Sequence, residues 1–460
     1  MQPLQLISRR LLRHIEPYDA RLLARSTLCT PFAEVRFMFL RGGCRHSIAE
    51  CAPDAAINDG KQCKPSETPH CIRNVLWTPN NYLDQLHHKQ RRLLALMRRL
   101  VWPVHDHMTA YGQQYKLPFR NPSAHCSVSQ QDLEYAAGFF DGDGCVTGDS
   151  REQKFKLQIS QTASNCEALV FFTRLFGGVS YRQGRGQGRG RPVVQWRMLG
   201  AAASKAASMM ASHPSLKKGQ LSLASTWPES KLLRMEASVK LRELKDLVPR
   251  PEDVLCTWNY LAGFFDAEGC ISVPGISNTV HLSIGQKHNA VLLAIQAFLK
   301  QEMPEHSSKL RFHKSSGTKG VWNLHLDTHG FSISVLRIMM VSGLIVKKKS
   351  AELVLLLDAS NHADVRTRLA EMSGNQSIDT WLDAQGVARA RHIGKLQSNM
   401  SYYKSVGNTT KVVVLQRSIQ DMKELHRVST AETNVSNLRK TIREMIGMGC
   451  EACPLVAPFS

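Results

Sequence analysis

Two twelve-residue stretches of this chain are nearly identical, and they constrain the fold more than any other feature. The first runs from Tyr135 to Val146 (YAAGFFDGDGCV) and the second from Tyr260 to Ile271 (YLAGFFDAEGCI), an offset of 125 residues. Eight of the twelve positions are identical, and the other four differ conservatively. The chain is therefore expected to contain one structural unit written twice.

Each stretch has the composition of a helix that packs closely against a partner. Gly138 and Gly142 are four residues apart, as are their counterparts Gly263 and Ala267. Residues at this spacing lie on one face of a helix. Small residues on such a face let two backbones approach each other closely. We therefore expect the two repeat helices to pack together through these positions.

An acidic residue stands at the end of each expected helix. Gly144 and Gly269 occupy the usual position for a helix stop. This places Asp143 and Glu268 in the last turn, next to the negative end of the helix dipole, where a carboxylate needs a compensating cation. If the two helices pack together, the two acids lie side by side and form a site for hard divalent metal ions.

The two motifs resemble those of a known family. Ala136–Gly144 (AAGFFDGDG) and Leu261–Gly269 (LAGFFDAEG) are similar to the paired motifs of monomeric, double-motif LAGLIDADG homing endonucleases. Ala136 replaces the usual leucine at a packing position, and Glu268 keeps a carboxylate where aspartate is usual. The resemblance implies an α+β fold of two pseudo-symmetric αββαββα repeats. These would pack through the motif helices and form a curved DNA-binding β-saddle.

The resemblance also implies an activity and a set of metal ligands. The family cuts both strands of a long DNA site by metal-dependent phosphodiester hydrolysis, leaves short 3′ overhangs and promotes the spread of its own intron. Two or more Mg²⁺ ions are implied, with Mn²⁺ tolerated. The implied metal ligands are Asp143, Glu268 and the backbone of Gly142 and Ala267.

Further active-site residues follow from matched positions in the two halves. Gln161 lies 18 residues after Asp143, and Gln286 lies 18 residues after Glu268. In the resembled family a polar residue at this position orients water near each metal. A basic residue before the third helix also serves the family's active site. The matching residues here are Lys217 and Lys347, with Lys218 and Lys348 one step away, so the register stays open.

The repeat divides the chain into five segments. Trp196, 53 residues after Asp143, and Trp322, 54 residues after Glu268, serve as matched landmarks within the two halves. Ser129 and Thr257 are expected to cap the two motif helices. The expected segments are an N-terminal extension (1–128), a first repeat (129–226), a linker (227–256), a second repeat (257–375) and a C-terminal extension (376–460).

Alternating strands in both halves offer one polar face to a ligand. Residues 153–160 alternate strictly between polar and apolar side chains, as in a half-buried strand. A β-ribbon fits the major groove of DNA and reads base edges with such side chains. Because the two halves carry different residues, an asymmetric target is expected. The candidate DNA-binding residues are Lys154, Lys156, Gln158, Arg182, Arg185, Gln195, Arg197, His281, Ser283, Arg311, His313, Asn323 and His325.

The charge balance is consistent with a polyanionic partner. The chain has 59 Lys and Arg against 38 Asp and Glu, a formal net charge of +21. It contains no apolar run approaching the 18 residues of a membrane span. Met1–Thr30 carries arginines among leucines, as a transit peptide does, although Glu16 and Asp19 are unusual in one. A chloroplast or mitochondrial protein is favoured, and a plain N-terminal extension remains the alternative.

Two other functions share the expected fold and charge. One is an RNA-binding maturase that assists splicing of a group I intron, with intron RNA as a partner. The other is a DNA-binding protein of the same fold that does not cleave. The acids Asp143 and Glu268 favour a monomeric endonuclease acting on double-stranded DNA, because the alternatives do not require them. The basic extensions keep the maturase open.

Overall fold

A computed structural model describes the protein over six ranges of its sequence. Met1–Thr30, the expected transit peptide or plain extension, lies outside these ranges, and so does Lys154. Among the described residues, no helix is long and apolar enough to cross a membrane. The described ranges are 79–121, 128–148, 155–275, 277–314, 320–372 and 382–453.

A helix and a small hairpin precede the first repeat. The helix is α1 (Pro79–Arg99), and it is followed by strand β1 (Leu100–Val101). Strands β2 (His107–Ala110) and β3 (Gln113–Lys116) form a hairpin that the sequence analysis missed. Its two turn residues, Tyr111 and Gly112, both have positive φ, at 50° and 73°. A tyrosine in that conformation is uncommon. The turn also lacks the Asn-Gly pair that usually marks a hairpin in a sequence.

The first repeat has eight elements, which agree closely with the predicted order. Ser129 caps its first helix, since its hydroxyl accepts a hydrogen bond from the Asp132 backbone N–H at 3.1 Å. In chain order the elements are α2 (Gln130–Asp143), β4 (Gly144–Thr147), β5 (Lys156–Thr162), α3 (Glu167–Phe176), β6 (Val179–Gly184), β7 (Val193–Leu199), α4 (Gly200–Ala211) and α5 (Lys218–Ser225).

A connector helix leads into the second repeat, which has the same element order. Thr257 caps the second motif helix by accepting from the Tyr260 backbone N–H at 3.2 Å. The elements are α6 (Lys231–Asp246), α7 (Trp258–Glu268), β8 (Gly269–Ser272), β9 (His281–Gln286), α8 (Ala290–Glu302), β10 (Leu310–Lys314), β11 (Trp322–Leu326), α9 (His329–Val341) and α10 (Lys348–Leu355). Short 3₁₀ turns at Pro251–Asp253 and Pro304–Lys309 join some of them.

The C-terminal region is helical and returns to the start of the described chain. Its elements are α11 (His362–Met372), α12 (Ala384–Ser405), α13 (Thr409–Gly447) and β12 (Glu451–Ala452). Strand β12 pairs with β1, and Leu438, Ile442 and Met445 of α13 pack in one buried cluster with Met97 and Leu100. The two extensions therefore form one structure, which the sequence analysis did not foresee.

Two four-stranded antiparallel sheets carry the symmetry of the repeat. Their strand orders are β4-β5-β7-β6 and β8-β9-β11-β10. The second order is the first one repeated, so the predicted α+β fold of two equivalent repeats is confirmed. One detail differs, because each repeat ends in two helices after its fourth strand rather than one.

The strand register corrects one pair of landmarks. Trp196 pairs with Ile159, and Leu324 pairs with Ile284. Ile159 and Ile284 both lie 16 residues after the acid of their own repeat, so Leu324 is the counterpart of Trp196. The match of Trp196 with Trp322 was therefore wrong. Trp196 is fully buried, whereas Trp322 is only half-buried and makes an offset stack with a neighbouring phenylalanine.

The two motif helices, α2 and α7, pack against each other at very close range. A methyl group on Gly138 would overlap the carbonyl oxygen of Tyr260, and one on Gly263 would overlap that of Tyr135. One turn further on, a methyl group on Gly142 would overlap the side chain of Ala267. The small residues are therefore required by the approach of two backbones, as the sequence predicts.

The glycines that end the motif helices serve a different purpose from a left-handed cap. Gly144 and Gly269 have φ of −78° and −74° in extended backbone, and each begins the first strand of its sheet. A side chain on either would overlap the ring of Phe140 or Phe265, which lies four residues earlier. Each position therefore requires glycine because a buried aromatic ring covers the chain there.

Candidate active site

The two acids of the repeats meet where the motif helices end. Asp143 is the last residue of α2, and Glu268 is the last residue of α7. A methyl group on Gly142 would lie 3.0 Å from Cγ of Glu268, so each acid sits beside the other helix. Gln161 donates a hydrogen bond from Nε2 to Oδ2 of Asp143 at 2.6 Å. Gln286 makes the equivalent side-chain hydrogen bond to Glu268.

Both acids lie in surroundings that disfavour their charged forms. Burial, reinforced by the charge of Glu268, raises the pKa of Asp143 to about 7. Burial also raises the pKa of Glu268, while the hydrogen bond from Gln286 and the charges of Lys217 and Lys347 oppose that rise. The metal-free site therefore binds protons near neutral pH, and a cation would relieve the repulsion.

The donor set fits a hard divalent cation. The site offers two carboxylates with amide groups beside them, and Mg²⁺ prefers oxygen donors and often takes only one or two carboxylates together with substrate phosphates. In the described part of the chain, no cluster of three or more His, Cys, Asp or Glu side chains could hold a metal ion.

Lys217 lies under the end of the first motif helix. Its ammonium donates to the carbonyl oxygens of Phe140, Asp141 and Gly144 at 2.7, 2.8 and 2.6 Å. It also approaches the carbonyl of Gly142 at 3.4 Å, a group that the resemblance implies as a metal ligand. Burial lowers the pKa of Lys217. A cation in this place satisfies the free carbonyls of the helix end and offsets its dipole.

Lys347 takes the equivalent place in the second repeat. Its ammonium donates to the backbone carbonyl of Asp266 in α7. The neighbouring residues Lys218 and Lys348 are exposed. Of the two registers left open by the sequence, the one with Lys217 and Lys347 brings lysines to the motif helices. Their charges also act on both acids, which shows how two carboxylates are tolerated at adjacent helix ends.

A second pair of acids braces the helix pair, and the sequence analysis did not single it out. Asp141 is 5% exposed and accepts from the Tyr260 hydroxyl of the other helix at 2.7 Å. It also accepts from the backbone N–H groups of Leu216 and Lys217, at 2.7 and 2.9 Å. Burial raises the pKa of this carboxyl. Asp141 therefore ties the second helix and the lysine-bearing turn to the first helix.

Asp266 makes the mirrored set of bonds. It is 3% exposed and accepts from the Tyr135 hydroxyl at 2.8 Å. It also accepts from the backbone N–H groups of Ile345, Val346 and Lys347 at 2.6, 2.9 and 2.7 Å. In both repeats a tyrosine stands six residues before this aspartate. The repeated tyrosine was the sequence signal for the second pair of acids, and it is missed when only acidic residues are considered.

The open face of the first sheet carries four of the predicted DNA-binding residues. Strand pairing places Gln158 beside Arg197, and the guanidinium of Arg197 lies 4.8 Å from the ring centroid of Tyr181. Gln195 is on this face but is 6% exposed and bonded to the Tyr181 hydroxyl. Lys156, at the start of β5, lies on the same face as Gln158.

The two predicted arginines of the β6 region lie elsewhere. Arg182 pairs with Val194, whose side chain is buried on the helix side of the sheet. Its guanidinium instead approaches the carbonyl oxygen of His105 at 3.5 Å. Arg185 follows the end of the strand and is exposed. The structure therefore does not bring Arg182 onto the face that holds Arg197, because the pleat directs it away.

The second sheet gathers its predicted residues onto one face. The buried side chains of Leu282, Ile284 and Leu324 alternate with them along the strands. Cross-strand pairs join Arg311 with His325, and His313 with Asn323. The residues on this open face are His281, Ser283, Arg311, His313, Asn323 and His325.

The fold of two equivalent four-stranded sheets on a central helix pair has similar solved structures. The chain is structurally similar to LAGLIDADG homing endonucleases. Among solved structures, LAGLIDADG meganuclease I-AabMI bound to uncleaved DNA matches at 16% identity with a TM-score of 0.36, over 52% of this chain and 97% of that one. I-GzeII in complex with its DNA target matches at 12% identity with a TM-score of 0.37, over 56% and 99%.

A third similar structure contains a metal. I-DmoI in complex with DNA and Ca matches at 16% identity with a TM-score of 0.27, over 48% of this chain and 96% of that one. No protein-family model and no curated protein matches the sequence.

Proposed function

We propose that this protein is a site-specific endonuclease that cleaves both strands of DNA at a long, asymmetric target. It would be of the intron-homing type and would act as a monomer. Divalent metal, Mg²⁺ or Mn²⁺, would be held by Asp143 and Glu268 next to the target phosphates. The backbone carbonyls of Gly142 and Ala267 remain predicted ligands.

One observation carries this proposal. Asp143 and Glu268 end two packed helices, and each helix leads without a break into the first strand of its own sheet. The acids therefore lie at the junction of two polar β-surfaces. A duplex lying across both surfaces would present its two backbones to the paired acids.

The residues around the acids have separate tasks in this proposal. Bound divalent ions would supply Lewis-acid activation of an in-line displacement at phosphorus. Gln161 fixes the orientation of the Asp143 carboxylate through its 2.6 Å hydrogen bond. Lys217 and Lys347 hold the helix ends in place and partly balance the acids, so that two carboxylates persist side by side.

DNA recognition would use the open faces of the sheets. Arg and Lys side chains on β-strands contact phosphates and guanine, and Gln, Asn and His contact other base edges. The first face carries Lys156, Gln158 and Arg197, and the second is rich in histidine. The difference between the faces supports an asymmetric target. The net charge of +21 adds a sequence-independent attraction for the duplex.

The test is cleavage of a randomised duplex DNA library by the purified full chain in Mg²⁺. The matched variants are Asp143→Asn and Glu268→Gln, which keep side-chain shape and remove one charge each. Asp364→Asn is the control, because it makes the same change at an exposed position of helix α11. We expect wild type and control to cut one family of sequences and both site variants to leave it intact.

Two results would refute the proposal. Cutting that survives in Asp143→Asn and Glu268→Gln would place the chemistry elsewhere. Sequence-specific binding by wild type without any cut in Mg²⁺ or Mn²⁺ would leave a DNA-binding protein and no nuclease.

A further inference from the structure

One acid lies at the end of the histidine-rich face of the second sheet. Asp327 directly follows strand β11, and its side chain is 15% exposed. A carboxylate on a surface that faces DNA phosphates is unfavourable unless it serves its neighbours.

Both carboxylate oxygens of Asp327 are engaged by basic side chains. Oδ2 accepts from Nε of Arg311 and contacts its Nη2. Oδ1 lies 3.2 Å from Nδ1 of His281 and 3.9 Å from Nδ1 of His325. The acid thus links strands β9, β10 and β11 on the open face.

His281 supports the acid from the opposite side. Its other ring nitrogen, Nε2, lies 2.9 Å from the hydroxyl of Thr279, which in turn lies 2.7 Å from that of Ser277. With both ring nitrogens engaged, His281 is a support within the protein rather than a reader of bases. On the far side, His325 stacks on His313 with ring centroids 4.9 Å apart.

The arrangement leaves one side of Arg311 available for a ligand. A guanidinium has five N–H donors, and Asp327 takes the edge formed by Nε and Nη2. The end formed by Nη1 and Nη2 points away from that edge, and the Arg311 side chain is 71% exposed. A pair of parallel donors in this geometry matches the O6 and N7 acceptors of guanine in the major groove.

We propose that Asp327 pre-orders Arg311 to read one guanine of the DNA target. This inference rests on the proposed function, because it takes duplex DNA as the ligand of the open faces. Arg311 is the base-reading residue, and Asp327 is a positioning residue that does not touch DNA. Fixing the guanidinium before binding reduces the conformational entropy lost on contact and selects the bidentate geometry.

The test is selection of bound sequences from a randomised duplex library in EDTA, where binding is measured without cleavage. The proteins are the full-length wild type, Asp327→Asn, Arg311→Lys, the double variant that carries both changes, and the control Asp364→Asn. Asp364 also pairs with an arginine, Arg368, at 3.6 Å, but on helix α11. Arg311→Lys keeps the positive charge but loses the pair of parallel N–H donors. Its effect therefore shows whether the bidentate geometry matters.

We expect wild type and control to prefer guanine at one position by roughly 10- to 100-fold over other bases. Asp327→Asn and Arg311→Lys should each lose that preference at the same position, and the double variant should lose no more than either. Preferences at positions read by the first sheet should stay unchanged. A merely structural role of Asp327 would weaken binding at all positions alike.

The outcomes separate the two proposals. If wild type enriches a sequence and Asp327→Asn retains every preference, the role of Asp327 is wrong while DNA recognition stands. The role of Asp327 would also be refuted if Asp327→Asn lost a base preference at a position where Arg311→Lys kept it. If wild type enriches no sequence at all, target recognition fails, and this inference fails with it.

Discussion

Replacing Asp143 with asparagine should stabilise the metal-free protein at neutral and higher pH. This is the reverse of what a buried substitution usually does. The reason is that burial and the charge of Glu268 raise the pKa of Asp143 to about 7, so ionising it in the folded chain costs free energy. Asparagine carries no charge and still accepts the hydrogen bond from Gln161.

The sign and size of the stability difference follow from the raised pKa of Asp143. A raised pKa means that the acid imposes no cost below its unfolded value of 3.8 and that stability is lost as pH rises towards about 7. At 1.36 kcal/mol per unit, the full loss is at most about 4 kcal/mol. Between pH 5 and 8 the stability of Asp143→Asn relative to wild type should therefore rise by about 2–3 kcal/mol.

The assay is urea unfolding in EDTA, followed by tryptophan fluorescence at several pH values. Asp246→Asn, which removes an exposed charge on the connector helix, is the control and should run parallel to wild type. Adding Mg²⁺ at pH 8 should stabilise wild type but leave Asp143→Asn unchanged, because a ligand of the folded state stabilises by mass action. A constant difference between Asp143→Asn and wild type across this pH range would refute the reasoning.

Four further substitutions address the helix pair and the first sheet. Gly138→Ala should lower the free energy of unfolding by about 1–3 kcal/mol, because the added methyl group overlaps a backbone carbonyl. The control Gly394→Ala lies in open space on helix α12 and should raise the free energy of unfolding by about 0.5–1 kcal/mol. Equal effects of the two substitutions in thermal unfolding would contradict the close packing of the motif helices. In the same assay Asp266→Asn should lower the free energy of unfolding by about 1–3 kcal/mol, because it leaves buried N–H donors unpaired. Tyr135→Phe should lower it by about 1 kcal/mol, because it removes one hydrogen bond. Arg197→Ala should weaken duplex DNA binding and reduce its salt dependence, and an unchanged slope in a fluorescence titration would remove this residue from the interface.

The doubled motif made the central part of the fold predictable. Gly138 and Gly263 indicate a backbone contact that only small residues allow. The packing of the two motif helices and the position of their acids can therefore be predicted from local sequence. The strands follow from polar alternation, and the caps follow from Ser129 and Thr257. These features are local, and each is present twice.

The features that the sequence did not reveal depend on contacts between distant segments. The bond from the Tyr260 hydroxyl to Asp141 spans 119 residues, and no periodicity marks it. Arg182 alternates like a surface residue, but its strand pairing places it on the other side of the sheet. Asp327 looks like an ordinary polar residue after a strand until Arg311 and His281 converge on it from neighbouring strands.

The most direct test of the account is to locate bound metal in a complex with DNA. Crystals of the wild-type protein with a target selected from the library would be grown with Mn²⁺ and measured near the manganese absorption edge. The account predicts anomalous density between the carboxylates of Asp143 and Glu268, next to the DNA backbone. Manganese bound elsewhere, with none at this pair of acids, would contradict it.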